Sequence, residues 1–315
     1  MPSPRTIGVG LIGYGQMGRI HTLAYRTIPL YYEPAPALLR LVGVCDAVKE
    51  RAEIGRIQGG YEIACSDPME LIGRKDVDLI CVCTPNKLHY PVVKAALEAG
   101  KHIFCEKPLG FDLKESEELA ALEKKSKGKH MVNAEFRYIN AALTAKDLIR
   151  QGRVGRIFHF RGGHLHSGYV DPKKPREWRL VKSIIGGGVL TDLGPHILDL
   201  VEAALGPVTE LTAQGDPRDW VAVQMLHESG ARSDVTMSCA SAIEPSRTEL
   251  ELYGRDRSIA LDARAGARSE SFARVRAEFA AAARSGGPHP CDAARGLELQ
   301  RLVDRVARAL ADPTT

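Results

Sequence analysis

Two titratable side chains four positions apart bring acid–base chemistry into the second half of the chain. Asp192 and His196 lie in GGGVLTDLGPHILDLVEAALG (186–206), a segment with helical periodicity, so a helix would place both on one face. A carboxylate that fixes a neighbouring imidazole is a common acid–base arrangement. These residues alone leave a structural alternative open, in which Asp192 is the helix N-cap and His196 is a surface residue.

A second group of chemically active residues follows an apolar run. In HIFCEKPLGF (102–111), a strand-like stretch runs directly into Glu106, Lys107 and Pro108. An acid, a base and a proline at the end of a buried strand indicate a placed functional group rather than an ordinary turn.

A glycine-rich turn lies near the start of the chain. Gly13, Gly15 and Gly18 form GxGxxG with Gln16 and Met17, directly after an apolar strand and at the start of a helical pattern. Such glycines permit a tight turn and close backbone approach, and the helix N-terminus receives a pyrophosphate. The motif predicts a dinucleotide site, with a purely structural glycine turn as the alternative.

Asp46 ends the next predicted strand. A carboxylate there accepts hydrogen bonds from the adenosine ribose and repels a 2′-phosphate, so the sequence favours NAD, with NADP less favoured. The spacing departs from the usual pattern, because Asp46 lies 28 residues beyond Gly18 instead of about 20. The segment YRTIPLYYEPAPALL lengthens this connection.

Polar residues also follow the strand at 78–85. Thr84, Pro85 and Asn86 lie at its carboxyl end, where side chains in a parallel sheet face a bound cofactor. Simple turn chemistry explains Asn86 equally well.

His164 and His166 alternate on a predicted strand and therefore share a face. Together with His196 they suggest a zinc site, but the sequence shows no complete set of zinc ligands, so we predict no metal. We expect His166 to contact the substrate.

The first half of the chain alternates apolar strands with helical patterns. Asp67 and Pro68 mark one helix start, and Asp112 with Glu115 has the spacing of a capping box at another. The predicted strands cover 6–13, 39–46, 78–85, 101–108 and 130–136. Strands that are apolar on both faces and separated by helices predict a doubly wound parallel sheet of the Rossmann type, which binds ligands at the carboxyl ends of its strands.

The second half has a different pattern. After a helix at 140–152, strand-like segments follow one another at 156–166, 207–215, 219–228, 231–242 and 248–262, interrupted once by the helix at 186–206. Two arginine-rich helices near 271–285 and 291–311 complete the chain. We therefore predict an α/β protein with a Rossmann domain at 1–137 and an α+β domain at 138–315, the latter with an open, mainly antiparallel sheet.

Composition narrows the class of protein. The 315 residues are 44% hydrophobic and 26% charged, with a formal charge of +4 and no basic tract, which argues against nucleic-acid binding. No secretory signal or membrane span is visible. The seven cysteines form no CxxC pair, so we expect a reduced, cytoplasmic protein.

The motifs together resemble the family of glucose–fructose oxidoreductase, inositol dehydrogenase and rhizopine catabolism, Gfo/Idh/MocA. The resemblance rests on GxGxxG, on TPNKLHYPVVKAALEAGKHIFCEKPL (84–109), which contains His89 and Glu-Lys-Pro, and on the later GG…DxGxHxxD. It spans about residues 5–210 and weakens towards the C-terminus.

The resemblance implies functional roles for these motifs. Lys107, Asp192 and His196 match the catalytic lysine, aspartate and histidine of the family, Glu106 would position Lys107 or the cofactor, and His89 belongs to the cofactor-binding segment. A neutral His196 can take the proton from a sugar hydroxyl, while a cationic Lys107 stabilises the developing alkoxide. The bond between Lys107 and Pro108 is typically cis in the family.

The resemblance also implies a substrate pocket and an assembly. Arg137 with Tyr138, and Trp178 with Arg179, would border the pocket, although an apolar plug and surface charges explain the same residues. The flat face of the second sheet would form a homodimer or homotetramer.

These implications amount to an NAD-dependent oxidoreductase acting on a sugar, cyclitol or polyol. Two alternatives remain: an NAD-dependent glycosidase of the same family, or a non-catalytic NAD-binding regulator.

Overall fold

The computed structural model describes residues 6–168, 170, 187–243, 247–262, 268–285, 287 and 289–311. Contacts divide the chain into two compact units. The first contains residues 1–133 and 269–298, and the second contains residues 134–268 and 299–315.

The first unit contains a parallel sheet in the order β3-β2-β1-β4-β5-β6. This is the Rossmann strand order, whose ligand crevice lies where the order reverses, between β1 and β4. Its strands are β1 (Thr6–Ile12), β2 (Leu38–Cys45), β3 (Ile63–Cys65), β4 (Leu79–Val82), β5 (His102–Cys105) and β6 (His130–Val132).

Helices follow the strands as the sequence predicted. They are α1 (Gln16–Tyr31), α2 (Lys49–Gly59), α3 (Pro68–Ile72), α4 (His89–Glu98) and α5 (Leu113–Glu123), with a 3-10 turn at Asn86–Leu88.

Two predicted helix starts have the expected capping bonds. Asp67 Oδ1 accepts from Met69 N at 2.9 Å, and Asp112 Oδ1 accepts from Glu115 N at 2.8 Å. The Glu115 carboxylate reaches back to Phe111 N at 2.8 Å, one residue before the cap.

The second unit contains a mixed sheet in the order β12-β11-β7-β10-β9-β8. Its strands are β7 (Ile157–Leu165), β8 (Val208–Asp216), β9 (Trp220–His227), β10 (Arg232–Ser238), β11 (Arg247–Gly254) and β12 (Ser258–Asp262). The pairing of β7 with β10 is parallel and the other pairings are antiparallel, so the predicted mainly antiparallel sheet and the fold class are confirmed.

Helices α6 (Asn140–Arg150) and α7 (Val189–Leu205) belong to the second unit, with a 3-10 turn at Glu135–Tyr138. Helix α7 is buried along most of its length and packs with the inner face of the sheet in one apolar core. That core fixes the orientation of the helix that carries Asp192 and His196.

Two helices end the chain, α8 (Arg268–Ser285) and α9 (Ala293–Ala311). The sequence placed all of 138–315 in one domain, whereas the contacts assign 269–298 to the first unit. The reason is packing, because Phe279 of α8 lies edge-to-face on Phe104 of β5, and Val132 N of β6 donates to Cys291 O at 2.9 Å. In the part of the chain that the structure describes, no helix combines the length and apolarity needed to cross a bilayer.

Candidate active site

The predicted dinucleotide turn joins β1 to α1 and has steric requirements for two of its glycines. Gly13 has φ +97°, and a Cβ there would lie 2.7 Å from Cys83 O. A Cβ on Gly18 would lie 2.2 Å from Gly13 O. These two glycines are therefore required by the turn itself.

Gly15 differs from them, because a Cβ built on it meets no protein atom within 4 Å. It is the N-cap of α1, the helix has no side-chain cap, and its first turn, which begins with Gln16 and Met17, holds no acid. Open space before a helix N-terminus that no side chain fills suits a phosphate group. The residues present thus fit the pyrophosphate of a dinucleotide.

Asp46 is buried at the carboxyl end of β2. Its Oδ2 accepts from Tyr14 N and its Oδ1 from Val48 N, both at 2.9 Å. Arg51 Nη1 lies 3.6 Å from the same Oδ2. The two backbone bonds fix the carboxylate beside the glycine turn, and each oxygen keeps a second lone pair for a ribose hydroxyl.

Residues after β4 hold the neighbouring strand end in place. Asn86 is buried, and Thr84 and Pro85 are half-buried. The His89 ring is fully buried, with Nδ1 2.8 Å from Pro108 O and Nε2 3.0 Å from Thr84 O. Burial lowers the pKa of His89, although both carbonyls act to raise it. His89 therefore lies between the ends of β4 and β5, with one backbone carbonyl against each ring nitrogen.

The Glu-Lys-Pro segment follows β5, and the peptide bond between Lys107 and Pro108 is cis. Lys107 is half-buried. The buried Glu106 accepts at Oε1 from His21 Nε2 at 2.6 Å and from Asn133 Nδ2 at 2.8 Å. Burial alone would raise the pKa of Glu106, but the bond from His21 and the charges of Lys107 and Arg276 lower it to about 2.

The second unit holds Asp192 and His196 on α7, as the helical spacing predicted. His196 is buried, its Nδ1 lies 3.6 Å from Oε2 of Glu135, and its ring stacks on Phe136 with centroids 4.4 Å apart. Asp192 is half-buried one turn earlier, and the N-cap of α7 is Gly188. The structural alternative for these two residues is therefore wrong, since Asp192 is not the cap and His196 is not on the surface.

His164 and His166 lie near each other, with ring centroids 5.8 Å apart. His164 Nδ1 is 2.6 Å from Thr248 Oγ1, and the His164 ring lies edge-to-face on Phe136 at 5.2 Å. His166 Nδ1 accepts from Gly168 N at 2.9 Å, which fixes the orientation of this ring.

Arg137 and Tyr138 occupy the 3-10 turn before α6. Arg137 forms a two-bond ion pair with the buried Asp199 of α7, in which Nη2 donates to Oδ1 at 2.6 Å and Nε donates to Oδ2. Tyr138 is buried. The pair fixes the turn to α7, which gives Arg137 a structural role. Trp178 and Arg179 lie outside the described residues.

One group of potential metal ligands occurs among the described residues, namely His21, Cys81 and Cys83. Arg276 Nη2 lies 2.6 Å from His21 Nδ1. A guanidinium at that distance opposes a metal cation in the same place.

The sequence did not single out His21, Arg276, Glu135 or Phe136. Arg276 carried a weak signal, because it occupies a helical position between Phe272 and Phe279 that normally faces a core. Glu135 and Phe136 carried none, since their contacts with His196 join elements distant in sequence.

Comparisons with known proteins agree with this architecture. Residues 7–134 match the Gfo/Idh/MocA model described as an oxidoreductase family with an NAD-binding Rossmann fold, and residues 142–260 match the model of the family's C-terminal domain. The resemblance predicted from the sequence is confirmed.

Two of the relatives are named dehydrogenases. The chain is 37% identical over 227 residues to levoglucosan dehydrogenase of Pseudarthrobacter phenanthrenivorans, an alignment that covers 72% of this chain and 58% of that protein. It is 26% identical over 272 residues to inositol 2-dehydrogenase of Rhizobium meliloti, which covers 83% of this chain and 74% of that one.

A solved structure of levoglucosan dehydrogenase in complex with NADH and levoglucosan superposes with a TM-score of 0.90, at 28% identity, over 98% of this chain and 98% of that chain. With both halves matched in sequence and the whole architecture matched in structure, the chain belongs to the Gfo/Idh/MocA oxidoreductase family, with its NAD-binding Rossmann fold in the first half.

Proposed function

We propose that the protein is an NAD-dependent dehydrogenase that oxidises a hydroxyl group of a sugar, cyclitol or related polyol, or reduces the corresponding ketone. The observation that carries the proposal is the open space at Gly15 before the uncapped N-terminus of α1, beside the fixed carboxylate of Asp46. This arrangement accepts a dinucleotide and favours one without a 2′-phosphate.

NAD supplies the hydride acceptor when it is bound. Gly15 and the N-terminus of α1 hold its pyrophosphate, and Asp46 accepts from its adenosine ribose. Glu106 and Lys107 follow β5, at the sheet edge where the nicotinamide half of a Rossmann cofactor lies.

We assign proton transfer to and from the substrate hydroxyl to Lys107, Asp192 and His196. In oxidation, a neutral His196 accepts the hydroxyl proton, and the cationic Lys107 stabilises the developing alkoxide. Glu135 Oε2, 3.6 Å from His196 Nδ1, favours the imidazolium that this transfer forms. In reduction, the same groups return the proton.

The substrate class follows from the relatives' names and from the polar side chains near His196. A ring bearing several hydroxyls suits the polar side chains of His166 and Asp192. Levoglucosan is the first compound to test, because a relative is named for its oxidation.

The test is a panel of levoglucosan, glucose and myo-inositol with NAD and with NADP, followed by absorbance of the reduced cofactor. We expect reduction of NAD by at least one compound and slower reduction of NADP. Release of free sugar from a glycoside without net NADH would favour the glycosidase, and no turnover in either direction despite NADH binding would favour a regulator.

We also propose a homodimer or homotetramer formed through the outer face of the second sheet, and a cytoplasmic location. None of the seven cysteines forms a disulfide in the described part of the chain, which supports a reducing compartment. Light scattering after size exclusion tests the assembly, and a monomer at micromolar concentration would contradict it.

A further inference from the structure

A chain of buried polar side chains runs from α8 to the end of β5 within the first unit. It consists of Arg276, His21, Glu106 and Asn133, which we call the His21 network. Arg276 is 1% exposed and His21 is 0% exposed, so neither side chain contacts a ligand directly. A charged side chain this deep in a core requires specific partners.

Arg276 is held by aromatic rings and a backbone carbonyl. Its guanidinium carbon lies 4.8 Å from the ring centroid of Phe104 on β5 and 4.8 Å from that of Phe272 on its own helix. Nη1 donates to Phe272 O at 2.6 Å. These contacts aim the remaining guanidinium nitrogens at His21.

The contacts of His21 determine which ring nitrogen carries the proton. Arg276 approaches Nδ1 with Nε at 3.1 Å and with Nη2 at 2.6 Å. A guanidinium only donates, so Nδ1 must accept. Nε2 therefore carries the hydrogen and donates to Glu106 Oε1 at 2.6 Å. Nη2 also lies 2.9 Å from Nε2, but only the carboxylate can accept the Nε2 hydrogen.

Glu106 is thereby held as an anion with a fixed orientation. Its Oε1 receives the bonds from His21 and Asn133, while the described residues give Oε2 no hydrogen bond. Glu106 directly precedes Lys107 at the end of β5, the sheet edge assigned above to the nicotinamide half of the cofactor.

We propose that His21 and Arg276 are positioning residues that orient the Glu106 carboxylate toward the nicotinamide half of the cofactor. Arg276 sets the His21 tautomer, His21 holds Oε1, and Oε2 is presented to a hydroxyl of the nicotinamide ribose. The inference rests on the proposed function for its cofactor but requires no particular sugar.

The test compares the affinity of purified variants for NADH and for ADP, which lacks the nicotinamide riboside. His21→Leu is expected to weaken NADH binding about tenfold, since a bond to a charged group is lost. ADP affinity is expected to stay within about twofold. His21→Gln, whose amide can accept from Arg276 and donate to Glu106, should restore most NADH affinity.

Arg276→Met should weaken NADH binding in the same selective way, whereas Arg284→Met, at an exposed arginine of the same helix, should not. Equal losses for NADH and ADP, or unchanged NADH binding, would overturn the proposal. If His21→Leu does not fold, comparing the NADH affinities of Arg276→Met and His21→Gln tests the same proposal.

These measurements separate the two hypotheses. A wild type that binds NADH but oxidises no sugar contradicts the proposed function and leaves the network test valid. An active dehydrogenase whose His21 and Arg276 variants bind NADH normally contradicts the network alone.

Discussion

The Phe136 ring stacks on the His196 imidazole with centroids 4.4 Å apart and planes 17° apart. The same phenyl ring meets His164 edge-to-face, with centroids 5.2 Å apart. Phe136 thus lies between the proposed proton acceptor and a buried histidine of β7. Because the stacked ring restricts rotation of the imidazole, Phe136 holds His196 in one orientation.

Phe136→Leu is therefore expected to lower kcat about tenfold, an amount that corresponds to about 1.4 kcal/mol in the barrier. We expect NADH binding to be retained, since Gly15 and Asp46, proposed above to hold the dinucleotide, are unchanged. Phe136→Tyr retains the stacked ring and serves as the matched control, with kcat within about threefold of wild type. Steady-state kinetics on the best substrate of the panel, with NADH titration, measures both. Equal rates for the Leu and Tyr variants would contradict the positioning role.

Two glycines of the same turn should respond oppositely to alanine. A Cβ on Gly15 meets no protein atom within 4 Å, whereas a Cβ on Gly18 lies 2.2 Å from Gly13 O. Gly15→Ala should leave the free energy of unfolding within about 1 kcal/mol of wild type and weaken NADH binding at least about tenfold, because the methyl group occupies the pyrophosphate space.

Gly18→Ala should instead destabilise the fold by about 2 kcal/mol or more, since a backbone oxygen cannot move aside cheaply. Urea unfolding and NADH titration of both variants provide the comparison. Normal NADH affinity in Gly15→Ala would contradict the placement of the pyrophosphate at Gly15.

Features encoded locally were predictable from the sequence. The caps at Asp67 and Asp112, the glycine turn and the apolar strands depend on neighbours within a few residues, and the structure contains them. β3 (Ile63–Cys65) was not predicted, because three residues are too short for a periodic signal.

Features that depend on distant contacts were not predictable. Arg276 and His21 are separated by 255 positions, and nothing near either residue indicates the other. The assignment of 269–298 to the first unit has the same origin, since it follows from packing against β5 and β6. For the same reason, the sequence singled out Asp192 and His196 but not Glu135 and Phe136, which contact His196 from a segment distant in sequence.

Asp46→Asn is expected to weaken the discrimination between NAD and NADP. The amide keeps an oxygen for one of the two backbone donors, Tyr14 N and Val48 N, but the negative charge is lost. Arg51, whose Nη1 lies 3.6 Å from Oδ2, then becomes available to a 2′-phosphate. The ratio of kcat/KM for NAD to that for NADP should fall at least about tenfold.

The control for this change is Glu50→Gln, at an exposed acid of the neighbouring helix α2. It removes the same charge without touching the carboxylate that faces the site, so the ratio should stay within about twofold of wild type. If the NAD-to-NADP ratio of kcat/KM falls equally in both variants, the effect is one of general charge. If the ratio is unchanged in Asp46→Asn, the proposed contact of Asp46 with the adenosine ribose is wrong.

Because of the buried His130 side chain, we expect the free energy of unfolding to fall in acid. The ring is 1% exposed, neither ring nitrogen has a hydrogen-bond partner among the described residues, and burial, with a smaller contribution from His89, lowers its pKa from 6.5 to about 3. The imidazole is therefore neutral in the fold, while the unfolded chain binds a proton below about pH 6.5. The unfolded state binds more protons in this window, so stability falls as pH falls through it.

Between pH 7 and pH 5 the free energy of unfolding of the wild type should fall about 2 kcal/mol more than that of His130→Leu. Urea unfolding at the two pH values measures this difference, which cancels contributions from His89, Glu123 and other groups common to both proteins. The pair should show parallel behaviour between pH 7 and pH 8, where His130 is neutral in both states. Parallel curves down to pH 5 would mean that His130 is protonated in the fold or exposed to water, and would exclude a buried neutral imidazole on β6.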